Sequence, residues 1–389
     1  MKPKLIIILF AIGGLIISPQ IYAQQYNQEL IDSLIKNSTQ VQVAGDSKFL
    51  ITGFTTFTGK FSKNQSTFSD VGFTPILLWK PNERILVEVE METAIMGNTT
   101  SIELGYADAS FFVNKYLTIR AGKFLAPFGI YQDRLHPSWI NKLPTVPLAN
   151  GEDELAFAPI SEVGLDFRGG APVGASKINY SFFVSNNAAL ITDPAMPSKQ
   201  GTLSYGNVDV QSKKLSYGGR VGLLPIENSS LEIGFSYRYG NVGDTSYNYK
   251  SVKATMYALD FSYINPIEGI KGTLDIKAQW NKANIGNASY ADPGDPTGLT
   301  RYTFDNKRTS FFSQVAYRPS MSQSKFLKKT ELVFRYAGFN PPAGAKDLME
   351  TRQYTYGINY WFNWRTAFKA AYQSEKNNNA FFIQVAVGF

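Results

Sequence analysis

Apolar and polar residues alternate with a period of two along most of the chain, the pattern of strands whose two faces meet different surroundings. From Glu83 to Ile95, Ile85, Val87, Val89, Met91 and Ile95 share one face with Thr93, while Leu86, Glu88, Glu90 and Glu92 share the other. From Leu274 to Asn281, Leu274, Ile276, Ala278 and Trp280 alternate with Asp275, Lys277, Gln279 and Asn281. Between Leu231 and Tyr239 an aliphatic and aromatic face alternates with Glu232, Gly234, Ser236 and Arg238. The last residues put Phe381, Ile383, Val385, Val387 and Phe389 on one side. In these four segments no charge falls on the apolar face. Lipid enforces such exclusion, because Arg or Lys at the bilayer midplane costs about 2–4 kcal/mol.

A soluble sandwich alternates too, so the connections must separate the classes. The pattern predicts sixteen strands, centred near residues 54, 74, 89, 108, 119, 166, 181, 220, 235, 259, 277, 314, 334, 358, 369 and 385. Connections such as Lys80-Pro81-Asn82-Glu83, Asn114-Lys115 and Asn363-Trp364 are tight turns. Several of the others are long, at about 125–160, 187–213, 240–252, 285–306 and 338–351. Short turns at one end and long loops at the other predict an all-β, transmembrane antiparallel β-barrel with periplasmic turns and external loops. An even strand count puts both termini on the periplasmic side. Apolar parity switches near Tyr106 within 102–113, which predicts a bulge or a shifted boundary there.

The N-terminus is read separately. Met1 to Lys4 is basic, Leu5 to Ile17 is an apolar run of thirteen residues, and Ile21-Tyr22-Ala23 offers a small residue for cleavage. This predicts a signal peptide over 1–23 and a mature chain from near Gln24, since a spanning helix needs roughly 20 apolar residues. Residues 24–46 form a periplasmic segment, in which Leu30, Ile31, Leu34 and Ile35 have helical spacing. A loose tail or short helix is favoured there over a lumen plug. The barrel proper is 47–389. The chain has no Cys, which excludes a lipid-modified cysteine and disulfides. Its formal charge of +7 falls to +5 without Lys2 and Lys4, and with no polybasic run nothing favours nucleic acid.

The loop after the fifth strand carries the sharpest motif: Gly122-Lys123-Phe124-Leu125-Ala126-Pro127-Phe128-Gly129, followed by Arg134 and Pro137. Its Pro and Gly residues give fixed bends, and its length suits a segment that folds into the lumen. In Gly122, Phe124, Pro127, Phe128 and Gly129 the chain resembles the phosphate-selective porin family (porins O and P). The resemblance implies a sixteen-stranded outer-membrane porin, often trimeric, whose third loop forms the constriction. It also implies that the strand ending at Phe389 is read by the barrel-assembly machinery.

The charges argue against carrying the family's selectivity over. Anion selection needs uncompensated cations along the lumen. Inward faces carry Arg120, Arg168, Arg220, Arg238, Lys277, Arg318, Arg335 and Lys369, against Glu88, Glu90, Glu92, Asp166, Glu232, Asp260, Asp275 and Glu331. Acids gather on the third strand and bases lean to later strands, which predicts a field across the pore. The Glu88-Glu90-Glu92 row reads as a solvated lumen wall rather than a cation site. Glu152, Asp153 and Glu154 either line the constriction, opposed by Lys123, Arg134 and Lys142, or face external water. His136 is the sole His. A lone loop His with no Cys favours neither a zinc site nor a cysteine nucleophile, and no phosphate-cradling Gly loop is present.

The function predicted is passive diffusion of small polar or charged solutes, anions such as phosphate among them, with no cofactor. The alternatives are a barrel-borne enzyme, which would need His136 beside a serine, and a binding or adhesion protein acting through its loops. An energised transporter needs a folded plug domain, for which 24–46 leaves no room.

Overall fold

The computed structural model describes residues 47–389 apart from 97–98, 152–154, 194, 197–198, 206–213, 227–229, 244–248, 296, 298, 347 and 377. The expected signal peptide and periplasmic segment, and Glu152, Asp153 and Glu154, lie outside the described residues. Sixteen antiparallel strands close into one barrel. In chain order they are β1 Lys48–Ser62, β2 Ser66–Asn82, β3 Ile85–Met96, β4 Thr99–Asn114, β5 Leu117–Leu125, β6 Ser161–Val173, β7 Ser176–Ser185 and β8 Ser216–Leu224. They continue as β9 Glu232–Asn241, β10 Lys253–Ile267, β11 Gly272–Ile285, β12 Lys307–Arg318, β13 Thr330–Asn340, β14 Thr351–Trp361, β15 Thr366–Glu375 and β16 Ala380–Gly388. Each strand centre expected from the sequence falls inside one of these spans. Among the described residues no helix is long and apolar enough to cross a membrane.

Closure satisfies the backbone. β16 pairs with β1 from Phe54↔Gly388 to Ser62↔Ala380, and Gly53 and Phe389 exchange both amide hydrogen bonds. Among the described residues the barrel sheet has no open edge, which is what a sheet in hydrocarbon requires. The Phe389 ring stacks on Phe73 at 5.7 Å, so the terminal residue is part of the seam.

The two faces follow the alternation. Inward Glu232, Ser236 and Arg238 are buried, whereas Ile233, Phe235 and Tyr237 on the other face are exposed. Aromatic pairs such as Tyr336–Tyr354 (4.8 Å) and Phe334–Tyr356 (5.2 Å) bind neighbouring strands across that outer face. In water so large an apolar surface would be a liability; facing lipid it is the matched surface. The irregularity near Tyr106 is a bulge: Glu90 pairs with Tyr106 but Met91 with Leu104, leaving Gly105 unmatched.

The two ends differ. The second, fourth and sixth connections are two-residue turns at 83–84, 115–116 and 174–175. At the opposite end the barrel strands are separated by the long segments 126–160, 186–215, 242–252 and 286–306, whose described residues include two small two-stranded sheets, 189–190 with 203–204 and 289–291 with 301–303. Several of these segments share one apolar cluster that includes Phe157, Leu203, Tyr249, Tyr290 and Phe304.

Candidate pore constriction

Described residues of the third loop, 126–151 and 155–160, bond to inward-facing wall side chains such as Ser236, Gln279, Arg335 and Lys369, and the loop's launch explains the motif residue by residue. Gly122 has φ +129, and a Cβ there would stand 2.3 Å from the Ala107 carbonyl oxygen. Phe124 is fully buried under the Arg120 guanidinium, 4.7 Å from its ring centroid. After the Pro127 bend Phe128 is buried in the loop cluster. Gly129 has φ +67, and a Cβ would stand 2.3 Å from the Gln279 amide. Only glycine combines that backbone with that approach. The turn delivers the Gly129 amide to Ser236 Oγ (2.9 Å) and the Ile130 amide to Gln279 Oε1 (2.9 Å), on the inner faces of β9 and β11.

Further on, the loop ties itself to the wall through charges. Asp133 accepts from Arg168 (3.3 Å) and Arg134 donates to Glu232 (2.5 Å). Lys142 bridges Glu331 (2.5 Å) and Asp275 (3.2 Å). Arg335 donates to the Thr145 carbonyl (2.7 Å), the Thr145 hydroxyl (2.5 Å) and the Val146 carbonyl (3.2 Å). Lys369 donates to the carbonyls of Ser138 and Asn141 and to Gln384. Arg308, stacked 5.1 Å over Phe157, donates to the Ala156 carbonyl.

Burial raises the Asp133 carboxyl, but Arg168, Arg120, Arg134 and Arg220 hold it below the usual range. Burial works against the Lys142 ammonium, and Glu331 and Asp275 outweigh it, leaving the pKa above its ordinary value.

Most inward arginines are neutralised in place. Arg120 pairs with Asp166 (2.9 Å), Arg220 with Asp260 (2.5 Å) and Glu232 (2.9 Å), and Arg238 with Glu162 (2.9 Å). Lys277 meets Asp275 at 2.9 Å. The sixteen charged residues assigned inward from the sequence all have inward parity. Sequence reading missed Glu162, Asp108, Arg308 and Glu103; parity alone would have found Glu162, four residues before Asp166. Wall carboxylates hold Arg134 (Glu232) and Lys142 (Glu331 and Asp275), while Glu152, Asp153 and Glu154, the acids they were expected to oppose, lie outside the described residues. Lys123 borders the loop-end cavity, and its ammonium donates to the Leu104 carbonyl.

The acid row on β3 organises the open space. A loop-end cavity of about 340 Å³ is lined by Glu92 and Glu103. A second, also about 340 Å³, lies toward the turns and is lined by Glu88, Asp133, Arg134, Arg168 and Arg220. Between them on the same face is Glu90, buried against His136 of the loop, with Nε2 3.6 Å from Oε1. His136 Nδ1 lies 2.8 Å from the Gln132 carbonyl. A carbonyl only accepts, so Nδ1 carries a proton and Nε2 is turned to the carboxylate. Burial lowers the His136 pKa, but the neighbouring Glu90 carboxylate, the Gln132 carbonyl and Glu92 together raise it above its ordinary value.

Comparison with known proteins bears on the fold. No family model matches the chain, and no curated protein is found as a relative. Solved structures are similar to it: OmpF of Salmonella typhi, in a complex with daunomycin, has a TM-score of 0.56 at 12% identity, over 88% of this chain and 98% of that one. A loop L8 deletion mutant of OmpT, an outer membrane protein of Vibrio cholerae, has a TM-score of 0.52 at 11% identity, over 89% and 100%. The trimer form of in-vitro folded OmpT scores 0.51 at 9% identity, over 89% and 100%. At these identities the likeness is one of architecture, and the architecture is that of a Gram-negative outer-membrane barrel.

Proposed function

We propose that the protein is an outer-membrane porin through which small polar and charged solutes diffuse passively, along the acidic face of β3. The observation that carries this reading is the Glu88-Glu90-Glu92 row. Its ends line two cavities on either side of the third loop, and its middle member meets that loop at His136. Sixteen strands suit an aqueous channel. The arginines beside the turn-end cavity, Arg134, Arg168 and Arg220, are each paired with a carboxylate, so the charges there are mixed rather than a filter for one sign.

The motif at residues 122–129 supports kinship with the phosphate-selective porins. Phosphate selectivity itself finds no support, because Arg120, Arg168, Arg220 and Arg238 are each matched by carboxylates. An enzyme built on His136 has no observation to carry it, since the ring faces a carbonyl and a carboxylate. The proposal includes a mature chain from near Gln24, assembly signalled by the strand ending at Phe389, and a homotrimer in the membrane. The trimer is supported by fold likeness to a protein that has a trimer form.

Liposome swelling with graded sugars, amino acids and phosphate, joined to reversal potentials in planar bilayers, tests the reading. Size-dependent swelling with weak ion preference is expected. No swelling with any small solute, or strong anion preference, overturns it.

A further inference from the structure

Resting on the porin reading, we propose that the turn end of the lumen holds a binding subsite for small ring-bearing monocarboxylates. A third cavity, about 290 Å³, lies between the third loop and the inner faces of β11 to β14. It is lined by Trp139, Trp361 and Trp364, three of the five tryptophans in the chain. An interfacial aromatic girdle accounts for a Trp in a turn, such as Trp364. It does not account for Trp361, which has inward parity on β14, or for Trp139 on the inserted loop. Trp364 leans onto Trp139, with ring centroids 6.0 Å apart at 75°, and the two make an apolar corner. The Trp361 N–H is taken by Glu331 at 3.1 Å, which leaves its carbon surface for packing.

Charge supplies the second half of the site. Five charged groups line the cavity: Lys142, Lys277 and Arg318 against Asp275 and Glu331. Lys142 bridges both acids and Lys277 meets Asp275. Arg318, inward on β12, has no ion pair or side-chain hydrogen bond among the described residues. One uncompensated guanidinium beside three indoles is a pairing of fork and apolar wall. The fork takes a carboxylate by two parallel hydrogen bonds, and the indoles take the ring. The volume is at the low end for ligand cavities, which points to a single-ring acid.

The test uses the full chain refolded in detergent for tryptophan fluorescence and in planar bilayers for conductance, with benzoate as probe. Benzoate is expected to change the fluorescence saturably and to lower ion conductance reversibly. Benzamide, which loses the charged hydrogen-bond pair, and acetate, which loses the buried ring, are each expected to bind at least about tenfold more weakly. Arg318→Gln should cost about the same factor, with Arg318→Lys intermediate. Trp364→Leu gives an independent check in a barrel whose closure is confirmed by heat-modifiable mobility. Equal binding of benzamide, or unchanged benzoate affinity in Arg318→Gln, overturns the subsite. A barrel that conducts ions but ignores benzoate defeats the subsite alone. Fluorescence binding without conductance defeats the porin reading alone.

Discussion

The third loop meets two arcs of the barrel in different ways. Toward β12–β15 it is gripped by cations on its backbone: Arg335 at Thr145 and Val146, Lys369 at Ser138 and Asn141, and Arg308 at Ala156. Arg335 and Lys369 are wholly buried. Toward β3 it presents His136 to Glu90 at 3.6 Å. The first arrangement uses cationic side chains with several donors each, shared over more than one backbone carbonyl. The second depends on the charge of a group that titrates near neutrality. A loop built this way is fixed along one wall and adjustable along the other, and the adjustable side is the one that carries the acid row.

The largest effect is expected from breaking the fixed side. Hydrogen bonds from a charged donor contribute about 1.5–3 kcal/mol each. Arg335→Ala removes three of them, so it should weaken loop docking by at least about 3 kcal/mol, two orders of magnitude in the docked ratio. Single-channel conductance should rise and become noisy, with Arg335→Lys a poor substitute because it lacks the planar fork. Unchanged conductance would show that the cation–carbonyl contacts do not hold the loop. A smaller effect is expected at the launch. Gly129→Ala meets an unfavourable φ, costing about 1–2 kcal/mol, in addition to the close approach of Gln279. It should raise conductance less than Arg335→Ala and lower the thermal midpoint. A Gln279→Ala background should relieve part of the loss by removing that approach.

How far these contacts were legible follows from where each partner sits in the chain. Strands were legible because lipid and lumen impose opposite demands on alternate residues, and even the bulge at Gly105 showed as a parity switch. The loop launch was legible as Gly and Pro chemistry. Its docking was not, since the amide of Ile130 finds Gln279 149 residues away. Whether an inward arginine is matched depends on register between strands: Arg220 on β8 reaches Glu232 on β9 and Asp260 on β10. Nothing in the local sequence of Arg220 separates it from Arg335, which has loop carbonyls for partners. The three-tryptophan cavity was hidden for the same reason, as Trp139 and Trp364 lie on segments far apart in sequence.

The smallest effect, and the one that most sharpens the contrast, is pH dependence at the adjustable side. Folding raises the His136 pKa above its ordinary 6.5, against the opposing cost of burial. A raised histidine contributes its stabilisation in full below the unfolded value and loses it as pH rises through the folded one. The contact with Glu90 should therefore hold at pH 6 and fade as pH rises through the raised folded value, while the Arg335 guanidinium still grips the other wall. Conductance recorded from pH 5.5 to 9 should climb with pH, by less than the gain in Arg335→Ala. His136→Gln should flatten that profile near its alkaline level, and Glu90→Gln should move the rise to lower pH by removing the charge that holds the imidazolium. A profile in His136→Gln as steep as in the parent would place the titrating group elsewhere and leave the loop fixed along both arcs.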